Sequence, residues 1–558
     1  MLSLHSAPLS LINPVVLPPN HFLSLAPSYS QPNELHPSGA PSTSSVNSNG
    51  LAPNTASLAS ADFDVDVRTG FLPPVKNVER LCDEYAIWEE ALDAAKGESV
   101  GGGLMLGGKR EQDKLWRAGV ASLPVLDTSR LRASLPHLRR SHMVLTFLAH
   151  FYVHTTPPPL STVKEPVPIP PSIAVPLLTV SPLLGLPPIL TYADTVLWNF
   201  LPVNTATPTS LLANPPQSVI TTFTNTRSEE QFYLISALCE ISGAKALSLM
   251  RQSLDELFVA DEKALRRLTV YLRKLAAQID CLGDITMTLM KEVDPEEFYH
   301  LIRPWFRGGD ADGLTSAGWD FLTLTSDVGV STHIAESAST EGRRGKLFSG
   351  PSAGQSSLIH AIDVFLTVDH SPTKEEREKA LKATVDQSEE NKVSIKINAS
   401  PVQSLEGVSS TAVNAHAKLS ASTVQSEATF LQRMLAYMPL PHRSFLLHLS
   451  THPTPLRPLV IRYATSHPAL VQAYDGALEA LRRFRERHMM VVSMFIVQQA
   501  RRQPGPRIRA LIGAEEHQVE VGELRGTGGT ALFKFLKRCR DNTTRAMLQP
   551  TGAGYELK

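Results

Sequence analysis

Cysteine, net charge and long apolar runs are scarce in this 558-residue chain. Its four cysteines, Cys82, Cys239, Cys281 and Cys539, lie far apart and form no C-x-x-C pair. That spacing excludes a dense disulfide framework and thiolate zinc or iron–sulfur sites. Lys and Arg number 53 against 54 Asp and Glu, a net charge of −1. No general basic field exists to hold nucleic acid or an anionic membrane. No stretch reaches roughly 18 uninterrupted apolar residues, so no transmembrane helix is expected. No Lys or Arg precedes Arg68, so the charged n-region of a signal peptide and the Arg-rich pattern of a transit peptide are both missing. The expectation is a cytoplasmic protein with reduced thiols.

Proline is abundant, at 42 residues, and a 42% hydrophobic share suffices for one large or two medium cores. Residues 1–70 are rich in Ser, Pro, Asn and Ala and read as a disordered tail, with order expected from near Val78. Residues 71–202 read as a small, mainly helical N-terminal domain, and 203–225 as an interdomain linker. Residues 226–558 read as a large all-helical domain, so the fold class expected is all-α. Within it, 371–424 opens with the charge run KEEREKALK and reads as a low-complexity insertion. Eleven prolines fall between Pro157 and Pro188. They argue against a continuous helix or central strand there and predict an ordered, irregular connection.

Three motifs carry little. GLMLGGKR at 103–110 matches G-x-x-x-x-G-K, but Arg110 stands where a phosphate loop needs Ser or Thr. His150 and His154 are one helical turn apart, as zinc ligands can be, yet no Glu suited to catalysis lies between them. GTGGT at 526–530 reads as a glycine hinge, with Thr530 as N-cap of the helix after it.

The longest clean helix is 468–502, with Ser466 as its cap, Pro468 in its first turn and Pro504 beyond its end. Its apolar stripe runs through Leu470, Tyr474, Leu478, Leu481, Phe484, Val491, Val492 and Phe495, and His488 falls on that stripe. A neutral buried imidazole can ligate a metal, and a single axial His suffices for haem iron. The helix pattern alone equally allows a core histidine.

Several segments together resemble the indoleamine 2,3-dioxygenase family. They are LPPILTYADTVL (186–197), FYLISALCEI (232–241), FYHLIR (298–303), PSAGQSSLIHAIDVFL (351–366), YMPLPHRSFL (437–446), RERHMMVVSMFI (485–496) and GTGGTALFKFLK (526–537). The resemblance covers about residues 75–370 and 425–550 in the family's order. It implies one haem b per chain, ferrous in the active state, between a small and a large helical domain. It also implies insertion of both atoms of O2 across the indole C2–C3 bond of L-tryptophan. The product would be N-formyl-L-kynurenine, the first step of the kynurenine route of tryptophan catabolism and NAD biosynthesis.

Carried over by position, His488 matches the axial iron ligand, and Asp363 and Arg485 match a pair beside the cofactor. Tyr192, Phe232, Ser236, Phe298, Arg303, Ser352, Ala353 and Thr527 match the substrate pocket. Among them Ser236, Phe298 and Arg303 are the catalytic candidates. Arg303 suits the substrate carboxylate because a guanidinium binds it in a bidentate fork. Phe232 and Phe298 suit a flat indole, although core packing would also explain both. Thr527 would meet the substrate's amino-acid group when its glycine loop closes. L-Tryptophan, O2 and an external reductant are the expected partners, with neither nucleic acid nor membrane, and the chain is expected to be a monomer. Two departures stand out: Pro351, where the family commonly has Gly, and the 371–424 insertion. The alternative reading is a non-catalytic haem-based oxygen carrier or sensor on the same fold.

Overall fold

The computed structural model describes residues 62–157, 165–202, 215–312, 316–323, 345–371, 430–513, 526 and 532–549. The chain divides into two units, 369–435 and the remainder. Only 369–371 and 430–435 of the smaller unit are described, so most of the 371–424 insertion lies outside the described residues.

The larger unit is built mainly of helices, which bears out the all-α expectation. Its N-terminal part contains α1 (Ala86–Lys96), α2 (Glu111–Ala121), α3 (Leu135–His154) and α4 (Pro171–Leu184). Beyond them the longer elements are α5 (Arg227–Val259), α6 (Glu262–Met287), α7 (Ser357–Phe365), α8 (Leu440–Ser450), α9 (Pro468–Val492) and α10 (Leu532–Ala546). Four short strands make two pairs among the described residues. β1 (Val167–Ile169) lies parallel to β4 (Trp319–Phe321), and β2 (Leu201–Pro202) antiparallel to β3 (Pro216–Ser218).

Order starts earlier than the periodicity suggests. Phe63, Phe71 and Leu72 are buried, and Phe71 packs 4.8 Å from His442 of α8. α3 is buried on nearly every side from Leu138 to Phe151, as a central helix must be. It therefore buries charge as well, and Arg140 is paired with Glu89 of α1 at 2.6 Å.

The proline-rich stretch departs from expectation. It contains α4, a 14-residue helix with Pro176 and Pro182 inside it. Pro170 and Pro171 sit at its cap and first turn, where a missing N–H costs nothing. Pro176 and Pro182 each delete a helical bond, but Ile173, Ala174, Leu177, Val180 and Leu184 are buried. Packing of α4 on α3 outweighs the lost bonds. Gly185 ends the helix at φ +67°, and Arg443 of α8 donates to its carbonyl at 2.6 Å.

α6 is the spine of the large helical part, with α5 packed along one side and α9 along another. Arg483 of α9 forks onto Asp280 of α6 at 2.7 and 3.0 Å, and Arg487 meets Asp284 at 3.1 Å. α5 is the one described helix long and apolar enough to cross a membrane by length and composition. Its apolar window is 56% buried within the fold, and it carries Glu229, Glu240 and Lys245. It is a core helix. The cap of α9 is His467, not Ser466, whose hydroxyl bonds to the His467 ring at 2.9 Å instead.

Candidate haem and substrate site

α5 begins on a side-chain N-cap. Thr226 accepts the N–H of Glu229 at 3.2 Å. The two oxygens of Glu229 accept from the Phe223 and Thr224 amides, the Thr224 hydroxyl and Tyr233. These bonds anchor the start of α5, on which Phe232, Ser236 and Glu240 recur at four-residue spacing along one side.

Among the described residues three π-turns interrupt the helical fold: Ala193–Leu197, Phe298–Ile302 and Ser493–Val497. The first two lie at or beside Tyr192 and Phe298, where the extra residue re-aims the side chains around it. Phe298 is buried on the second, its ring 4.6 Å from that of Phe232 and 5.7 Å from that of Phe495. Phe495 stands on the third, two turns beyond His488. The Phe232–Phe298–Phe495 chain therefore links α5 to the end of the histidine helix. Arg303 comes directly after the second π-turn, half-buried, with its guanidinium 5.2 Å from the centre of the Tyr299 ring. Ser236 donates its hydroxyl proton to the Phe232 carbonyl at 3.0 Å.

Tyr192 is joined to the Ser-Ala-Gly-Gln-Ser-Ser turn. Its N–H donates to the Gln355 side chain at 2.8 Å, and Gln355 in turn donates to the Gly350 carbonyl at 2.9 Å. Its hydroxyl donates to Glu240 at 3.0 Å, and Ser356 donates to the same oxygen at 2.7 Å. Burial, with Glu240 beside it, pushes the Tyr192 phenol well above its ordinary value. Ser352 accepts from the Gly354 amide at 3.2 Å and opens the turn, Ala353 is exposed on it, and Pro351 is buried. The Ser349 amide donates to the Tyr437 hydroxyl at 2.8 Å, which ties the 437–446 segment to the same turn.

His488 keeps accessible surface although it lies deep among the surrounding helices. Its ring makes no hydrogen bond, ion pair or aromatic contact among the described residues. Burial, with Arg485 nearby, lowers its pKa to about 4, so the imidazole is neutral at ordinary pH. One turn earlier, the Nη2 of Arg485 reaches both oxygens of Asp363 at 2.6 and 2.7 Å, and its Nη1 donates to Thr543 of α10. A neutral, unengaged imidazole beside a firmly held guanidinium fits the needs of haem, which takes an axial nitrogen ligand and carries propionates.

Thr527 lies outside the described residues, as do Gly528, Gly529 and Thr530; Gly526 is half-buried. Sequence reasoning misses Glu240, Gln355, Phe495 and Thr543 as functional residues. Glu240 has a signal, a carboxylate one turn beyond Ser236 in an otherwise apolar segment. Phe495 stands on the apolar stripe and Gln355 in the Ser-Ala-Gly-Gln-Ser-Ser run, but neither pattern assigns a role, and Thr543 has no signal.

Two of the motifs set aside, at 103–110 and at His150 and His154, prove structural; GTGGT lies outside the described residues apart from Gly526. Arg110 closes its loop onto the Gly103 carbonyl and Asp113, at 2.6 and 2.8 Å. His150 bonds the Trp305 carbonyl at 2.7 Å and His154 that of Arg307 at 2.9 Å. No group of three metal-ligating side chains occurs among the described residues.

The profile of the family described as Indoleamine 2,3-dioxygenase matches residues 59–546. The chain is 31% identical over 490 residues to the indoleamine 2,3-dioxygenase of Saccharomyces cerevisiae, covering 85% of this chain and 90% of that one. It is 27% identical to indoleamine 2,3-dioxygenase 1 of Mus musculus over 87% of this chain and 95% of that one. A 6-hydroxytryptophan 2,3-dioxygenase of Fusarium equiseti is 26% identical, over 87% and 97% of the two chains. The matched span takes in both the aromatic wall and the histidine helix, and this chain belongs to the indoleamine 2,3-dioxygenase family.

Proposed function

We propose that this protein is a haem dioxygenase that converts L-tryptophan to N-formyl-L-kynurenine, inserting both atoms of O2 across the indole C2–C3 bond. The observation that carries the reading is the unengaged, neutral imidazole of His488 on the helix whose Phe495 meets the Phe232–Phe298 pair. One relative is named for 6-hydroxytryptophan, so the choice of indole is the finer part of the proposal.

His488 would hold the iron, and Arg485, braced by Asp363 and Thr543, would meet a propionate. Bound haem supplies a ferrous iron able to activate dioxygen. The chain's own part is to bind, orient and dry the substrate. Phe232 and Phe298 offer ring faces and edges to the indole and exclude water. Arg303 takes the carboxylate in a charge-assisted pair. Thr527, with Gly526, Gly528 and Gly529 as hinge, closes on the amino-acid group. The Ser236 hydroxyl proton is spent on a backbone carbonyl, so only its lone pairs face outward. No side chain need act as a general base.

Turnover of L-tryptophan under isotope-labelled dioxygen tests this. Both label atoms are expected in the product of a short assay. One label or none would refute dioxygen insertion. An intact reversible oxygen complex without product would promote an oxygen carrier instead.

A further inference from the structure

Two carboxylates are fully enclosed on α5, and they are treated differently. Glu229 has four donors spread over both oxygens. Glu240, 2% exposed, receives the hydroxyls of Tyr192 and Ser356 on one oxygen, while the other is buried without a partner. We propose that Glu240 is a positioning residue of the substrate pocket: its carboxyl group holds Tyr192 against Ser356, and the charge on that carboxyl sets how firmly the wall is held. The inference rests on the tryptophan-dioxygenase reading.

An ionised acceptor makes hydrogen bonds about twice as strong as a neutral one. The same group in an enclosed place is costly to ionise unless its oxygens are satisfied. Glu240 has half of what it needs, so burial pushes its pKa up to about 7, against the pull of Ser356 and Tyr192. The groups around it are few. Tyr192 faces it from the entry to the first π-turn, Ser356 from the entry to α7, and Cys239 is its neighbour on α5 with Cys281 of α6 beyond. On α7, His360 turns to the Gly354 carbonyl at 2.9 Å, and Asp363 is committed to Arg485. Among the described residues no basic side chain enters the interactions that set its charge. The wall is therefore held tightly above neutral pH and loosely below it.

The test compares the haem-loaded wild type with Glu240→Gln, whose amide oxygen can still accept both hydroxyls. Michaelis constants for L-tryptophan are measured from about pH 6 to about pH 8, and infrared spectra are recorded over the same range. In the wild type KM is expected to fall on the order of fivefold as pH rises, with little change in kcat. In Glu240→Gln it should be flat. A carboxylic-acid carbonyl band should vanish with rising pH in the wild type and be missing from the variant. A KM step that survives the substitution, or a band absent from the wild type or unaltered in the variant, overturns the proposal. The infrared arm needs no turnover. A wild type that shows the band but consumes no tryptophan would count against the dioxygenase reading alone.

Discussion

A neutral imidazole that makes no bond to the protein and keeps accessible surface among packed helices is free to take a ligand. His488 is in that position. His488→Ala should therefore leave protein that folds but lacks the Soret band after haem reconstitution. Full haem occupancy in that variant would remove the ligand assignment. Arg303→Ala should raise KM for tryptophan on the order of 10- to 100-fold, since a charge-assisted pair is worth roughly 1.5–3 kcal/mol. Unchanged turnover at low substrate would refute the carboxylate role. Ser236→Ala should cost at most about fivefold in kcat/KM, because its bond to the Phe232 carbonyl is a local one. His488 is legible in the sequence because a single polar residue interrupts an apolar stripe of known period. Glu240 shows in the sequence only as a carboxylate in an apolar segment, because its meaning depends on Tyr192 and Ser356, which only the fold brings to it.

Elements depart from their sequence patterns wherever packing outweighs local preference. α4 shows this most clearly: Pro176 and Pro182 argue against a helix by their missing donors, yet burial on α3 keeps them in one. The long helices α5, α6 and α9 are legible because their apolar faces recur over many turns. The three π-turns are not, since one added residue leaves no compositional trace. The joint between α5 and α7 depends on Gly243, where an added Cβ would strike the Leu358 side chain. Gly243→Ala should destabilise the protein by about 1–3 kcal/mol, read as a lower midpoint in chemical denaturation. It should also move Ser356 away from Glu240, so the carboxylic-acid band should shift. A variant as stable as the wild type would mean that α7 yields freely at this contact.

At the scale of the whole molecule, an acid whose pKa rises on folding makes stability depend on pH in a defined direction. Glu240 rises from 4.5 to about 7. Below pH 4.5 folded and unfolded chains both hold the proton, so this residue contributes no slope. Between those values the folded chain keeps a proton that the unfolded chain has lost, and stability falls as pH rises. Above about 7 the slope ends. The amount at stake is roughly 3 kcal/mol. Glu240→Gln should flatten that part of the curve in denaturation experiments at stepped pH, and an unchanged curve would show that another group carries it. One assay bears most directly on tryptophan dioxygenation by this molecule. Reduced, haem-loaded protein given L-tryptophan and dioxygen should form N-formylkynurenine as tryptophan disappears, seen as rising product absorbance. An intact haem spectrum with no loss of tryptophan would contradict that activity.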